Sequence, residues 1–130
     1  MTLYDSSLLI DYLDGEAGAI QYVEDHVGDR TITVPLVLFE VYQGEVYKTG
    51  PPDFDAIDRA LTWVSVVDVT AETARAAAEL QEHLQQRGET MAARDAFIAG
   101  TALRREERLA VSDADFVVDG IEEVLDVDVV

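Results

Sequence analysis

The chain contains no cysteine. Disulfide bridges, thiolate zinc sites and cysteine nucleophiles are thereby excluded. Histidine is nearly absent too: His26 and His83 are the only two, and neither belongs to an HExxH-type pattern. Any bound metal would have to be held by carboxylate oxygens, a donor set that suits Mg²⁺, with Mn²⁺ as the variant. Lysine occurs once, at Lys48, and nine basic residues in all face 27 acidic ones. No apolar run approaches the roughly 18 residues that span a bilayer. The opening MTLYDSSLLIDYL has no basic stretch ahead of its apolar residues and meets Asp5 early, so it does not read as a signal peptide. The expectation is a cytoplasmic protein with no membrane segment.

What is present is enough apolar material for a core. Of 130 residues, 48% are hydrophobic, which argues against disorder and for a single domain over residues 1–130. The formal net charge is −18, with acids spread along the whole chain. Such a surface repels itself in dilute buffer. At molar salt the Debye length falls to about 3 Å and the repulsion is screened. The composition therefore points to a halophilic, salt-rich cytoplasm. An acidic face for a basic partner is a compatible second reading.

Helical spacing dominates the pattern, with short β-branched runs between. Thr2-Leu3-Tyr4 reads as a strand. Leu8, Leu9, Tyr12 and Leu13 follow at helical spacing, and 17–27 reads as a second helix. A strand over 31–34 leads to Pro35 at a first helical position, then a helix through Tyr47. The stretch 49–53 is a Gly/Pro loop, and 54–61 is a short helix. The run 63–69 looks like a buried strand. Thr70 opens a helix through Leu84, 91–105 is an alanine-rich helix, 109–111 is a strand, a turn or helix start follows, and 124–130 closes with a strand. This order predicts an α/β fold: three α/β/α layers around a central, mainly parallel sheet of four or five strands. In such sheets ligands bind beyond the carboxyl ends of the strands. Asp5 and Asp113 both fall there.

Each acid has a bland reading. Asp5 could cap the helix that follows it, Asp113 could be a turn residue, and Asp95 could answer a helix dipole. Glu40 is harder to dismiss, because it sits in PLVLFEVYQ beside an apolar stripe, where a carboxylate needs compensation. In combination, two acids at strand ends and two on apolar helices form the one candidate chemistry in the chain. Clustered carboxylates repel unless a cation neutralises them.

Four segments resemble the motifs of PIN-domain nucleases: MTLYDSSLLIDYL, PLVLFEVYQG, RDAFIAGTAL and VSDADF. They come in the family's order and spacing over residues 2–116, and the compact length resembles VapC-type toxins of VapBC toxin–antitoxin pairs. The match departs at Leu38, where many relatives carry Ser or Thr near the second motif.

The resemblance implies a PIN-like fold and a Mg²⁺-dependent ribonuclease. Asp5, Glu40, Asp95 and Asp113 would be the catalytic set, with Asp5 and Asp95 the firmest metal ligands and Glu40 and Asp113 binding directly or through water. Asp115 competes with Asp113 as fourth acid and otherwise supports the site from behind, as does Ser6, placed to bond Asp5 or a water. Arg94 is a candidate phosphate contact, with a solvated surface arginine as its bland reading. The implied partners are an RNA substrate, a VapB-type antitoxin that lays a helix or extended tail near the site and places an Arg among the acids, and a second copy in a homodimer. Two alternatives share the fold: a stand-alone RNA-processing nuclease and a non-catalytic PIN binding module. A dehalogenase-type phosphotransfer site would need an acid at position 7, where this chain has Ser7, and a receiver domain needs a lysine late in the chain, where Lys48 does not fall.

Overall fold

The structure, a computed structural model, describes the backbone of residues 1–130 and every side chain except that of Asp115. Five strands form one sheet: β1 (Thr2–Tyr4), β2 (Thr31–Thr33), β3 (Val64–Val66), β4 (Arg108–Val111) and β5 (Val127–Val129). Their order across the sheet is β3-β2-β1-β4-β5, and every neighbouring pair is parallel. Six helices accompany them: α1 (Ser6–Leu13), α2 (Ala17–Asp25), α3 (Pro35–Val46), α4 (Phe54–Ala60), α5 (Ala71–Gln85) and α6 (Ala93–Arg104).

Successive residues of a strand point to opposite faces. Thr2, Leu3 and Tyr4 are all buried, as are Leu109, Ala110 and Val111, so the sheet is covered on both sides. Leu3 pairs in register with Ile32 and with Leu109, which makes a fully buried row across the three central strands. The chain steps from β1 outward to β2 and β3, then returns to β4 on the other side of β1. Right-handed crossovers put α1–α4 on one face and α5 and α6 on the other. Helix contacts agree: α1 packs on α2 and α3, and α5 packs on α6. The return makes the carboxyl edge between β1 and β4 the topological switch point, where a crevice opens.

Local signals account for the helix starts. Pro35 opens α3 after an extended Val34, where its missing N–H is not needed. The Thr70 side chain accepts from the Thr73 amide at 3.2 Å and caps α5. Asp5 occupies the cap position of α1 with extended backbone, yet its carboxylate makes no capping bond.

Two expectations need correction. The run 63–69 is not a buried strand: only Val64–Val66 pair, Val66 and Val69 are exposed, and β3 is the sheet's edge. Its β-branched residues suit an edge as well as a centre, while Trp63 packs its ring edge-on against Tyr4 and Tyr12. The segment before β5 forms two 3₁₀ turns, Ala114–Phe116 and Ile121–Glu123, separated by Gly120 at φ 94°. A left-handed residue there stops helix propagation.

The α5–α6 seam depends on a glycine. A Cβ at Gly100 would lie 2.8 Å from the Ala77 backbone. Gly44 on α3 has nothing within 4 Å of the same position. Gly100→Val is expected to destabilise the fold by about 1–3 kcal/mol through overpacking, read as a lower urea midpoint. Gly44→Ala is expected to raise stability by up to about 1 kcal/mol through helix propensity. Equal melting of the two variants would contradict this seam.

Candidate functional site

A cleft of about 290 Å³ opens at the carboxyl edge of the sheet, lined by Asp5, Ser6, Ser7, Ile10, Glu40, Arg94, Asp95, Asp113 and Phe116. All four acids expected from the sequence line it. They arrive from four places: Asp5 directly after β1, Glu40 in the middle of α3, Asp95 in the first turn of α6, and Asp113 two residues beyond β4.

The backbone fixes Asp5 firmly. Its amide donates to the Ala110 carbonyl at 3.0 Å, continuing the β1–β4 pairing past the end of the strand. Its side chain is 4% exposed. Ser7 Oγ donates to Asp5 Oδ2 at 3.2 Å and accepts from the Ser112 amide at 3.0 Å. The Ser7 hydroxyl thus joins the start of α1 to the residue after β4 and holds the Asp5 carboxylate from there. The sequence reading assigned this supporting role to Ser6. Position 7 was weighed only as the place where a second acid was missing, although its hydroxyl, one residue further along α1, was the one aimed back at Asp5.

Glu40 lies beside the buried pair Val37 and Val41 and is itself half-buried. Asp95 is also half-buried, at the start of a helix that packs through Ala96, Ala99, Gly100 and Ala102. Ile98 on the same helix is fully buried and Leu103 packs against the core, while Phe97 is exposed.

Arg94 occupies the centre. Its Nε donates to Glu40 Oε2 at 2.6 Å, and one terminal nitrogen donates to Asp5 Oδ1 at 2.9 Å and Ser6 Oγ at 2.7 Å. It also pairs with Glu40 Oε1 and with Asp95 Oδ1. The contact with Glu40 is therefore the two-point fork that a planar guanidinium makes best. Partial burial works against the charged form of Arg94, but Glu40, Asp5 and Asp95 outweigh it and raise its pKa. The solvated-surface reading of this residue is corrected: the chain's own arginine stands among the acids. Its position next to Asp95 was visible in the sequence, but its partners 54 and 89 residues away were not.

Among the described residues, no three carboxylate or imidazole side chains are arranged to hold a metal ion as they stand. Asp5, Glu40 and Asp95 are instead spanned by the guanidinium. Chemically the set still fits a hard divalent cation, since every side chain that Arg94 bonds offers oxygen. Asp113 is exposed and lines the same cleft, on the turn that closes when the Phe116 amide donates to its carbonyl at 3.1 Å. The rival fourth acid, Asp115, has its side chain outside the described residues.

A sequence profile of the PIN domain matches residues 2–118. That is most of the chain, so the protein belongs to the PIN-domain family. Solved structures share the fold. VapBC2 from Rickettsia felis bound to a promoter DNA fragment aligns with a TM-score of 0.80 at 16% identity, covering 98% of this chain and 96% of the other. VapBC-5 from Mycobacterium tuberculosis aligns at 0.71 and 25% identity, covering 99% and 98%. VapC20 from Mycobacterium tuberculosis, described as a sarcin–ricin loop cleaving toxin, aligns at 0.65 and 20% identity, covering 89% and 92%. No curated protein sequence matches this chain significantly.

The Ser7 link makes a direct prediction. Ser7→Ala removes a bond to a buried carboxylate and leaves the Ser112 amide without its acceptor. It is expected to cost about 1–2 kcal/mol, measured by urea unfolding. An unchanged midpoint would mean that this tie contributes nothing.

Proposed function

We propose that the protein is a metal-dependent ribonuclease that hydrolyses RNA phosphodiester bonds, and that it is the toxic member of a VapBC-type toxin–antitoxin pair. The observation that carries this reading is the convergence of Asp5, Glu40, Asp95 and Asp113 on one cleft at the switch point of a PIN-family sheet. The toxin assignment is supported by the fold likeness to VapC chains over nearly their full length.

In this reading Asp5 and Asp95 hold a Mg²⁺ or Mn²⁺, and Glu40 and Asp113 bind it directly or through water. When bound, a divalent ion supplies Lewis-acid polarisation of the phosphodiester and a lower pKa for the attacking water. The protein's own contribution is placement. Ser7 and the Ala110 carbonyl fix Asp5 in a set orientation, which limits reorganisation during the reaction. Half-buried Glu40 and Asp95 give the cleft a negative lining that attracts cations. Arg94 is the one basic residue lining the cleft among those described, and so the one candidate there for a phosphate oxygen.

RNA binding normally depends on basic side chains and weakens with salt. This chain has few such residues, so substrate capture would rest on shape and on the metal, in a salt-rich cytoplasm where the −18 charge is screened. For the antitoxin, a second cleft between α1, α3 and α4 supports the reading. It is about 320 Å³ and is lined by apolar Ile10, Leu13, Val41, Ile57 and Ala60, with charged Asp14, Glu45 and Lys48 also on its walls. Ile10 lines both clefts, so a partner segment lying there would reach the acids. Exposed Phe39 and Val46 on α3, with Tyr47 just past its end, offer apolar surface for a second copy. Among the described residues no helix is long and apolar enough to cross a membrane.

The purified protein is expected to cleave RNA in molar KCl with Mg²⁺ or Mn²⁺, to stop when EDTA is added, and to resume when the metal is restored in excess. Asp5→Asn and Asp95→Asn are each expected to lower the rate on the order of 10²–10³-fold, the range seen when one preorganised electrostatic group is lost. Full cleavage by Asp5→Asn would sink the assignment to this cleft.

A further inference from the structure

Arg94 poses a question that the proposed reaction does not answer. Its guanidinium lies where a metal would have to be held, and it touches every acid of the inner cluster. We propose that Arg94 is the site's resident counter-cation: it holds Asp5, Glu40 and Asp95 together in the metal-free protein, and a divalent cation binds only by displacing it. This rests on the reading of these carboxylates as metal ligands.

Charge supplies the first argument. Three carboxylates carried by three different elements share one cleft, and without a cation between them their repulsion would oppose the fold. Arg94 supplies one positive charge and spreads it over Nε and both terminal nitrogens, each bonded to at least one acid. One terminal nitrogen has three acceptors, Asp5, Ser6 and Glu40, for only two hydrogens. The cluster therefore has more acceptor capacity than the guanidinium can satisfy and still carries excess negative charge. A divalent ion would neutralise more of it. Displacement is thus electrostatically favourable, but it starts from a filled site.

The second argument is access. Arg94 is 29% exposed, against 4% for Asp5. Its helix neighbours Ala92 and Ala93 are exposed and small, so nothing bulky next to it in the chain blocks rotation of the long side chain towards solvent. Asp5, by contrast, is tied through its amide to Ala110 and through its carboxylate to Ser7. Asp5 is fixed and the arginine is the more exposed, movable member. Ser6, which accepts from Arg94, marks where the arm docks.

The consequence is a lowered apparent metal affinity. When the binding-competent state is only a fraction of the population, the apparent dissociation constant rises by the inverse of that fraction. The cleft then stays closed to its cation at low divalent concentration and opens above a threshold that Arg94 sets.

The test is calorimetric titration of EDTA-stripped protein with Mn²⁺ at fixed high KCl, together with thermal melting with and without Mn²⁺. Four proteins are compared: wild type, Arg94→Gln, Arg94→Lys and Asp5→Asn. Arg94→Gln is expected to bind Mn²⁺ on the order of tenfold more tightly than wild type, a factor set by the fraction of sites closed by the arginine. It is also expected to melt at a lower temperature without metal and to gain more on Mn²⁺ addition. Arg94→Lys keeps the charge but loses the fork, and should fall between the two. It also answers the question should Arg94→Gln fail to fold, since a Lys variant that binds no more tightly than wild type would overturn the proposal. If Arg94→Gln binds no more tightly than wild type while Asp5→Asn loses binding, the metal site stands and the counter-cation role is wrong. If Asp5→Asn binds Mn²⁺ as wild type does, the metal reading fails, and this inference fails with it.

Discussion

Like charges at close range set the terms for this molecule. Asp5, Glu40 and Asp95 are brought into one cleft by backbone elements that have no electrostatic reason to meet, and Arg94 stands between them with hydrogen bonds to each. Without the positive charge between them, these carboxylates would repel one another. The bridging guanidinium therefore joins the end of β1, the middle of α3 and the first turn of α6 and offsets part of their charge. The ordinary packing of the fold accounts for the rest: a buried row of Leu3, Ile32 and Leu109 across the sheet, and a tight α5–α6 seam that Gly100 permits.

The sheet topology explains why the cleft forms where it does. A chain that begins in the middle strand, winds outward to β3 and then returns to β4 leaves a gap at the carboxyl ends of β1 and β4. The residues just past those strands, Asp5 and Asp113, are the ones that face it. Glu40 and Asp95 enter from helices on opposite faces of the sheet, so the cleft is lined from both layers. A charged site built this way draws its acids from both layers and is spanned at its centre by one arginine.

Much of this was legible in the sequence, and the failures have physical causes. Element order and the parallel sheet followed from periodicity, because strands and helices in this chain are short and cleanly punctuated. The four acids were legible through strand-end position and motif order. The edge character of β3 was not, since Val64 to Val69 reads the same whether one face or both are covered, and only strand order decides. The turn or helix start expected after β4 takes the form of two short 3₁₀ turns with Gly120 in a left-handed conformation between them. Arg94 was missed in its actual role because Glu40 and Asp5 lie 54 and 89 residues away, and Ser7 because its hydroxyl is held by the Ser112 amide 105 residues on; side-chain hydrogen bonds of that range leave no local pattern.

The chain around the cleft is strongly acidic as well, with a formal net charge of −18, so the proposed RNA chemistry is tested where that charge is screened. The most direct measurement of the account is sequencing of RNA ends after brief expression of the wild-type chain and of Asp5→Asn in a salt-tolerant host. The account predicts new, recurrent RNA ends in the wild type that vanish in the variant while its protein level is unchanged. The same set of ends in both would contradict it.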